Sequence, residues 1–288
     1  MITCKLCGGL GNQLFQIFTT IAYAVKCAKP FFFLNNHQLG NCSTGAIIRY
    51  TYWATLLNEL TPFLKKMNEF PQLTIITEKY FCYEPIPDIK QNTILFGYYQ
   101  SYLYFDTYKK GIYKLLKLND KQKLVKNKVH INLDNCENIS IHFRIGDYIK
   151  YPNIYPILSE NYYIAALSLI INKLSTTTTI YGKTSVIYFC ENNDIIEVEQ
   201  IITSLRVVFP LITFERASIL LEDWEQMILM SLCNHNIIAN STFSWWGAYL
   251  NDNPKKIVCY PENWFMSQAN KNTSTLFPND WIRISYTV

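Results

Sequence analysis

The densest chemistry in this chain lies at His142–Tyr148, HFRIGDY. Arg144 offers a planar fork of donors that matches phosphate oxygens and stays charged at any working pH. Gly146 lets the backbone turn or come close to a ligand. His142 adds a titratable base and Asp147 a carboxylate. Departure of a nucleoside diphosphate needs such a set, because negative charge develops on a phosphate oxygen and must be neutralised. The plainer reading is an Arg144–Asp147 ion pair closing a strand end. On these seven residues both readings stand.

Two other clusters suit the same task. Gly8–Gln16, GGLGNQLFQ, joins a strand pattern to a helix pattern, and backbone N–H groups at such a junction favour an anion. Gly9 and Gly11 begin a dinucleotide fingerprint that fails at Leu14, and no Walker lysine follows, so a nicotinamide dehydrogenase is a distant alternative. A tight turn without a ligand is the competing account. In Asn240–Trp246, NSTFSWW, Ser241, Thr242 and Ser244 place hydroxyls at a helix start. Capping needs one of them; three, with Asn240, exceed that need and point to phosphate. Trp245 and Trp246 read mainly as packing. The Asp-x-Asp pair by which sugar transferases usually grip a metal is missing from the sequence. Arg144 and helix N-termini are then the groups left to meet the leaving charge, and the expectation is a reaction without metal or cofactor.

These clusters need elements to hold them. Ile2–Leu6, Phe31–Leu34, Thr74–Thr77 and Thr93–Phe96 read as strands of a first half, with a helix from Leu14 to about Ala28. Tyr52–Leu60, Tyr108–Leu118 and Lys121–Lys128 read as helices, the last two as a basic solvated face. Gly97–Phe105, GYYQSYLYF, is core or a cleft wall. Asn132–Asn138 reads as a linker, so the division falls into residues 1–134 and 135–288. In the second half, Ile139–Ile141, Val186–Cys190, Val207–Phe209, Leu211–Phe214, Asn236–Ala239 and Ile257–Tyr260 read as strands. Tyr162–Leu174, a stretch ending near Leu205, and Trp224–Cys233 read as helices, with Ser159 a good N-cap. Strands alternating with helices in both halves imply two α/β domains with parallel sheets.

Composition sets the class. With 288 residues, 49% hydrophobic and 17% charged, the chain is globular. A net charge of +4 is too small to argue for nucleic acid. Nine scattered Cys include one Cys4-x-x-Cys7 and no second such pair, which disfavours zinc. Cysteines inside apolar runs, with no leader-like segment and no spanning run, fit a reducing cytoplasm, or the periphery of a membrane carrying glycan acceptors. The sequons at Asn41, Asn138, Asn240 and Asn272 read as chance in an Asn-rich chain.

Taken together, GGLGNQLFQ, GYYQS (Gly97–Ser101), IHFRIGDY (Ile141–Tyr148), LSENYY (Leu158–Tyr163) and LMSLCNHNIIANSTFSWWGAYL (Leu229–Leu250) resemble the α-1,2-fucosyltransferases of glycosyltransferase family eleven. The resemblance runs from near the first residue to about Trp264. It implies a GT-B fold, two Rossmann-like domains facing a central cleft, with residues 1–134 on the acceptor side and 135–288 on the donor side. It implies metal-free transfer of L-fucose, with inversion, from GDP-β-L-fucose to the 2-hydroxyl of a galactoside glycan. Arg144 then corresponds to the diphosphate-binding arginine, and Asn12 to an asparagine near the donor phosphates. Gly9, Gly11, Gln13 and Gly146 would join the donor site; His142 would lie near the nucleotide; Asn240, Ser241, Thr242, Phe243 and Ser244 would frame diphosphate and guanosine. Two positions depart from the family. Ile145 stands where a second Arg is common, and Gln226 where an acidic residue is common. A carboxylate accepts two donors from guanine, while an amide offers one acceptor oxygen, so Gln226 bears on base specificity. Inversion also needs a base for the acceptor hydroxyl, with Asp147 first and His142 second, or a transition state loose enough to delay that need. The alternatives are the same fold moving another deoxyhexose or using another acceptor hydroxyl, and a non-catalytic glycan- or nucleotide-binding module.

Overall fold

The computed structural model describes residues 1–39, 48–130, 133, 136–175 and 184–286. The chain forms two compact units, Met1–Lys121 with Lys271–Pro278, and Gln122–Asn270 with Asn279–Val288. The expected division after residue 134 therefore falls too late, and residues 271–278 return to the first unit. Polar partners show why. Lys121 Nζ donates to Thr55 O and Asn58 Oδ1 of the first unit, whereas Gln122 and Lys128 bond Ser231 and Glu225 of the second. Ser101 Oγ donates to Thr275 O at 2.5 Å, and Tyr83 N to Thr275 Oγ1 at 2.7 Å, which ties the returning segment down.

The first unit opens with β1 (Ile2–Cys4) and α1 (Leu10–Lys26). Short pairings follow in β2 (Phe33–Leu34), β3 (Gln38–Leu39), β4 (Arg49–Tyr50) and β5 (Leu64–Lys65), then β6 (Thr74–Thr77) and β7 (Thr93–Phe96). β1, β7 and β6 form a parallel sheet in that order. Helices α2 (Lys109–Leu115) and α3 (Leu118–Lys128) follow. The expected helix over Tyr52–Leu60 is instead turns leading into one 3-10 stretch, Asn58–Phe63, which holds Pro62; a Pro lacks the N–H that a longer helix needs. The expected loop over residues 42–49 lies mostly outside the described residues.

The second unit is built on β8 (Glu137–His142), α4 (Glu160–Ser175), β9 (Thr184–Phe189), α5 (Ile195–Val208), β10 (Thr213–Arg216), α6 (Asp223–Leu232), β11 (His235–Ile237), α7 (Thr242–Tyr249), β12 (Val258–Pro261) and β13 (Ile282–Ile284). Its six strands are all parallel, in the order β10-β9-β8-β11-β12-β13. Two strand expectations shift: Val207 and Val208 end α5, and the strand after it is Thr213–Arg216. β13 had no expected counterpart.

The central strand is buried on both faces, as a parallel sheet covered by helices requires. Ile139 and Ile141 point into an apolar cluster with Tyr162, Tyr163, Leu167, Val186 and Ile202. The opposite face carries Asn138 and Ser140, also buried, and neighbouring strands satisfy them: Ser185 Oγ donates to Asn138 Oδ1 at 2.6 Å and Asn236 Nδ2 to Ser140 Oγ at 2.7 Å. Tyr162 buries its ring while its hydroxyl donates to Ile238 O at 2.6 Å, the usual arrangement for a buried Tyr. Ser159 precedes α4, yet its hydroxyl is buried without a partner, so it does not cap that helix through its side chain. Cys4, Cys27, Cys82, Cys136, Cys190, Cys233 and Cys259 are free. Among the described residues no helix is long and apolar enough to cross a membrane.

Candidate functional site

Strand order decides where a ligand can sit. From β8 the chain steps outward to β9 and β10, then crosses back to β11 on the other side of β8 and continues to β12 and β13. The order reverses between β8 and β11. In open α/β sheets the crevice beyond the carboxyl ends of those two strands binds ligands. His142–Tyr148 leaves β8 at that point, and Asn240–Ser244 leaves β11 there. Two clusters separated by about a hundred residues in sequence thus share one edge.

Arg144 is the centre of this edge. Its side chain is 19% exposed; one terminal nitrogen donates to Asp147 Oδ1 at 2.5 Å and the other pairs with Glu191. The guanidinium lies over the Tyr148 ring, 5.2 Å from its centroid, and Tyr148 stacks on Tyr155 at 4.2 Å. Burial opposes the charge, but Glu191, Tyr148 and Asp147 outweigh it and raise the arginine's pKa. The Tyr148 hydroxyl donates to Asn240 O at 2.9 Å, which joins the β8 and β11 exits directly.

The turn carrying Arg144 is pinned from below. Gly146 N donates to Asp194 Oδ2 at 2.9 Å. Its φ of +24° is one that L residues avoid, and an added Cβ would stand 3.0 Å from Glu191 Oε2. Gly146 is favoured by this backbone angle, while the Glu191 carboxylate beside it is the far end of a flexible side chain that can give way. Glu191 is the first charged residue past the end of β9, and only the pairing of β9 with β8 shows that it meets Arg144. Ile145, in the place of a second Arg, is buried and belongs to the core.

His142 is 7% exposed, with Nδ1 3.0 Å from Ser244 Oγ and its ring 5.5 Å from that of Phe243. Burial, with Arg144 adding to it, pushes its pKa down to about 3. Enclosed against Ser244 and with its pKa lowered by burial, His142 is poorly placed for the base role expected of it. It instead braces the start of α7. Ser241 caps that helix, accepting from Phe243 N at 3.3 Å. Ser244 is 1% exposed and turned to His142, and Asn240 Nδ2 donates to Pro156 O at 2.9 Å, so neither of these two expected donor contacts faces outward. Thr242 and Phe243 are partly exposed and remain at the surface of the crevice. Trp245 and Trp246 are fully buried packing. Gln226, on α6, is partly exposed and donates from Nε2 to Leu221 O at 3.1 Å. Next to it Glu225 is buried and paired with Lys128.

In the first unit α1 starts at Leu10, so Gly11, Asn12 and Gln13 form its first turn instead of the preceding loop. Gly9 is the cap residue, with no side-chain cap and no acidic residue in the first turn. The first N–H groups of a helix lack partners within it and suit an anion. Gln13 was expected to touch a ligand but is 1% exposed; its Nε2 donates to Gly8 O at 3.0 Å and Tyr50 O at 2.8 Å and locks the turn. Asn12 Oδ1 accepts from Gln100 Nε2 at 2.9 Å, which links the two short motifs of this unit. Gly8 has φ +82°, and a Cβ there would meet Asn12 Nδ2 at 2.5 Å. GYYQS proves to be a folded corner as well as core. Glu78 accepts from Tyr98 N at 2.7 Å and Tyr99 N at 2.9 Å, while Tyr99 is 2% exposed. Among the described residues no group of three His, Cys, Asp or Glu is placed to hold a metal ion.

The model of glycosyl transferase family 11 matches residues 1–285. An O-antigen biosynthesis glycosyltransferase, WbnK, of Escherichia coli is 27% identical over 99% of this chain and 100% of its own length. An alpha-1,2-colitosyltransferase of Escherichia coli is 24% identical over 99% of each. The solved structure of NodZ alpha-1,6-fucosyltransferase co-crystallized with GDP covers 86% of this chain and 92% of its own, at 11% identity and a TM-score of 0.43.

Proposed function

The chain belongs to glycosyltransferase family 11, and from that premise we propose that it moves L-fucose from GDP-β-L-fucose to the 2-hydroxyl of a galactoside glycan, with inversion and without a metal ion. Arg144 at the β8–β11 reversal carries this reading. A guanidinium held by Asp147 beside a helix start is set to take the charge of a departing diphosphate. In this reading the second unit binds the donor and the first the acceptor. Thr242 and the N–H groups opening α7 meet phosphate oxygens, with Gly146 keeping the approach to the backbone open. Gly9 and Gly11, without side chains, and Asn12 present the α1 start to the substrate. Asp147, already bonded to Arg144, orients the guanidinium, and the acceptor hydroxyl loses its proton to solvent late, from a transition state loose enough to delay the need for a base. Gln226, its Nε2 spent on Leu221, offers Oε1 as one acceptor for a guanine N–H.

The test is incubation of purified protein with GDP-fucose and lactose in EDTA. Fucosyl-lactose supports the proposal; loss of product on chelation defeats the metal-free step. A second reading, the same fold moving another sugar, draws on Gln226 and on the colitosyltransferase relative. A thermal-shift panel of GDP, UDP, ADP and their sugars separates the two.

A further inference from the structure

Both terminal nitrogens of Arg144 are occupied by carboxylates of the chain itself, Asp147 and Glu191. One cation shared by two carboxylates leaves the cluster net negative. A nucleoside diphosphate arriving there would be repelled by both acids and would find each terminal nitrogen already bonded to one of them. Displacing one carboxylate removes that repulsion and frees one arm of the fork.

The structure distinguishes them. Asp147 sits three residues from Arg144 on the same short turn, 26% exposed, and moves with it. Glu191 comes from the neighbouring strand exit, is 50% exposed, and can swing into water. It also lies against the Gly146 backbone, where a Cβ would meet its Oε2 at 3.0 Å and Oε1 at 3.5 Å. That is the open face an anion on Arg144 would use. We propose that Glu191 is a positioning residue that stands in for the diphosphate, holding Arg144 in its binding rotamer and exchanging off it when the nucleotide arrives. The assignment rests on Arg144 being the diphosphate-binding arginine.

Exchange has a signature that a supporting contact lacks. Removing the charge of Glu191 takes away a competitor, so nucleotide should bind more tightly. Partly exposed ion pairs are weak, which limits the gain to roughly 2–5-fold at low ionic strength, shrinking as salt rises. The experiment measures GDP affinity by calorimetry for wild type, Glu191→Gln, Arg144→Lys and the double variant, at two salt concentrations, with melting temperatures as a fold check. The expected results are a lower Kd for E191Q, no such gain in the R144K background, and loss of the gain at high salt. A raised or unchanged Kd for E191Q overturns the exchange. Wild-type GDP affinity in R144K overturns instead the assignment of Arg144 on which the exchange rests.

Discussion

Replacing Arg144 by Lys separates its two properties, charge and fork. Lysine keeps the positive charge but is a compact point charge with no planar pair of donors. In the fold, Arg144 serves Asp147 and Glu191 through different nitrogens, an arrangement a single ammonium cannot copy. The stability cost is small, because its partners are 26% and 50% exposed and such pairs contribute about 0–1 kcal/mol each. For a chain of this size that lowers Tm by no more than about 6 °C. The catalytic cost is larger. A preorganised donor aimed at developing charge contributes about 2.7–4 kcal/mol, a factor of about 10²–10³ in kcat. R144K should therefore lose about 10² in kcat, and R144A about 10³, while both still melt cooperatively. The assay is initial-rate kinetics on donor and acceptor, paired with thermal melts of the same preparations. A variant that keeps more than a tenth of wild-type kcat refutes the reasoning. So does a collapse of Tm that accounts for the lost rate.

Two more outcomes follow from buried groups. His142 and His235 titrate at about 3 and about 4 in the fold against an ordinary 6.5, burial being the first cause for each. Between those values the unfolded chain binds more protons, so stability falls as pH drops from 6.5 toward 4, by about 1.4 kcal/mol per pH unit for each group. Urea denaturation at pH 7, 6 and 5 should show this slope, and His142→Gln should remove about half of it; an unchanged slope excludes His142 as a contributor. Gly247 on α7 lies against α6, where an added Cβ would meet Met230 Cβ at 2.7 Å. Gly247→Ala gains about 1 kcal/mol of helix propensity but overpacks by about 1–3 kcal/mol. The expected net is a Tm lower by about 2–4 °C. A Tm that rises in the single variant contradicts the close contact.

The motifs themselves were legible because they are local. HFRIGDY and NSTFSWW each follow a strand and show their residue types in sequence, so Arg144 at a strand end and a helix start among Ser241, Thr242 and Ser244 could be read directly, while the structure assigns the cap to Ser241. The α/β class came from alternating periodicity, and the buried strand Ile139–Ile141 from its apolar residues. What the chain alone leaves undecided depends on which strands become neighbours. The β8–β11 reversal joins segments about a hundred residues apart, and only that pairing sets His142 against Ser244 and Tyr148 against Asn240. The β8–β9 pairing brings Glu191 to Arg144, which no spacing in the sequence displays. Burial then divides the polar residues: Gln13, Asn240 and Ser244 turn their groups inward to hold turns, while Asp147, Thr242 and Gln226 keep some exposure. A side chain's type states what it can bond. Whether it bonds the protein or a ligand is settled by the close packing of elements distant in sequence, since a buried polar group must find its partner within the fold.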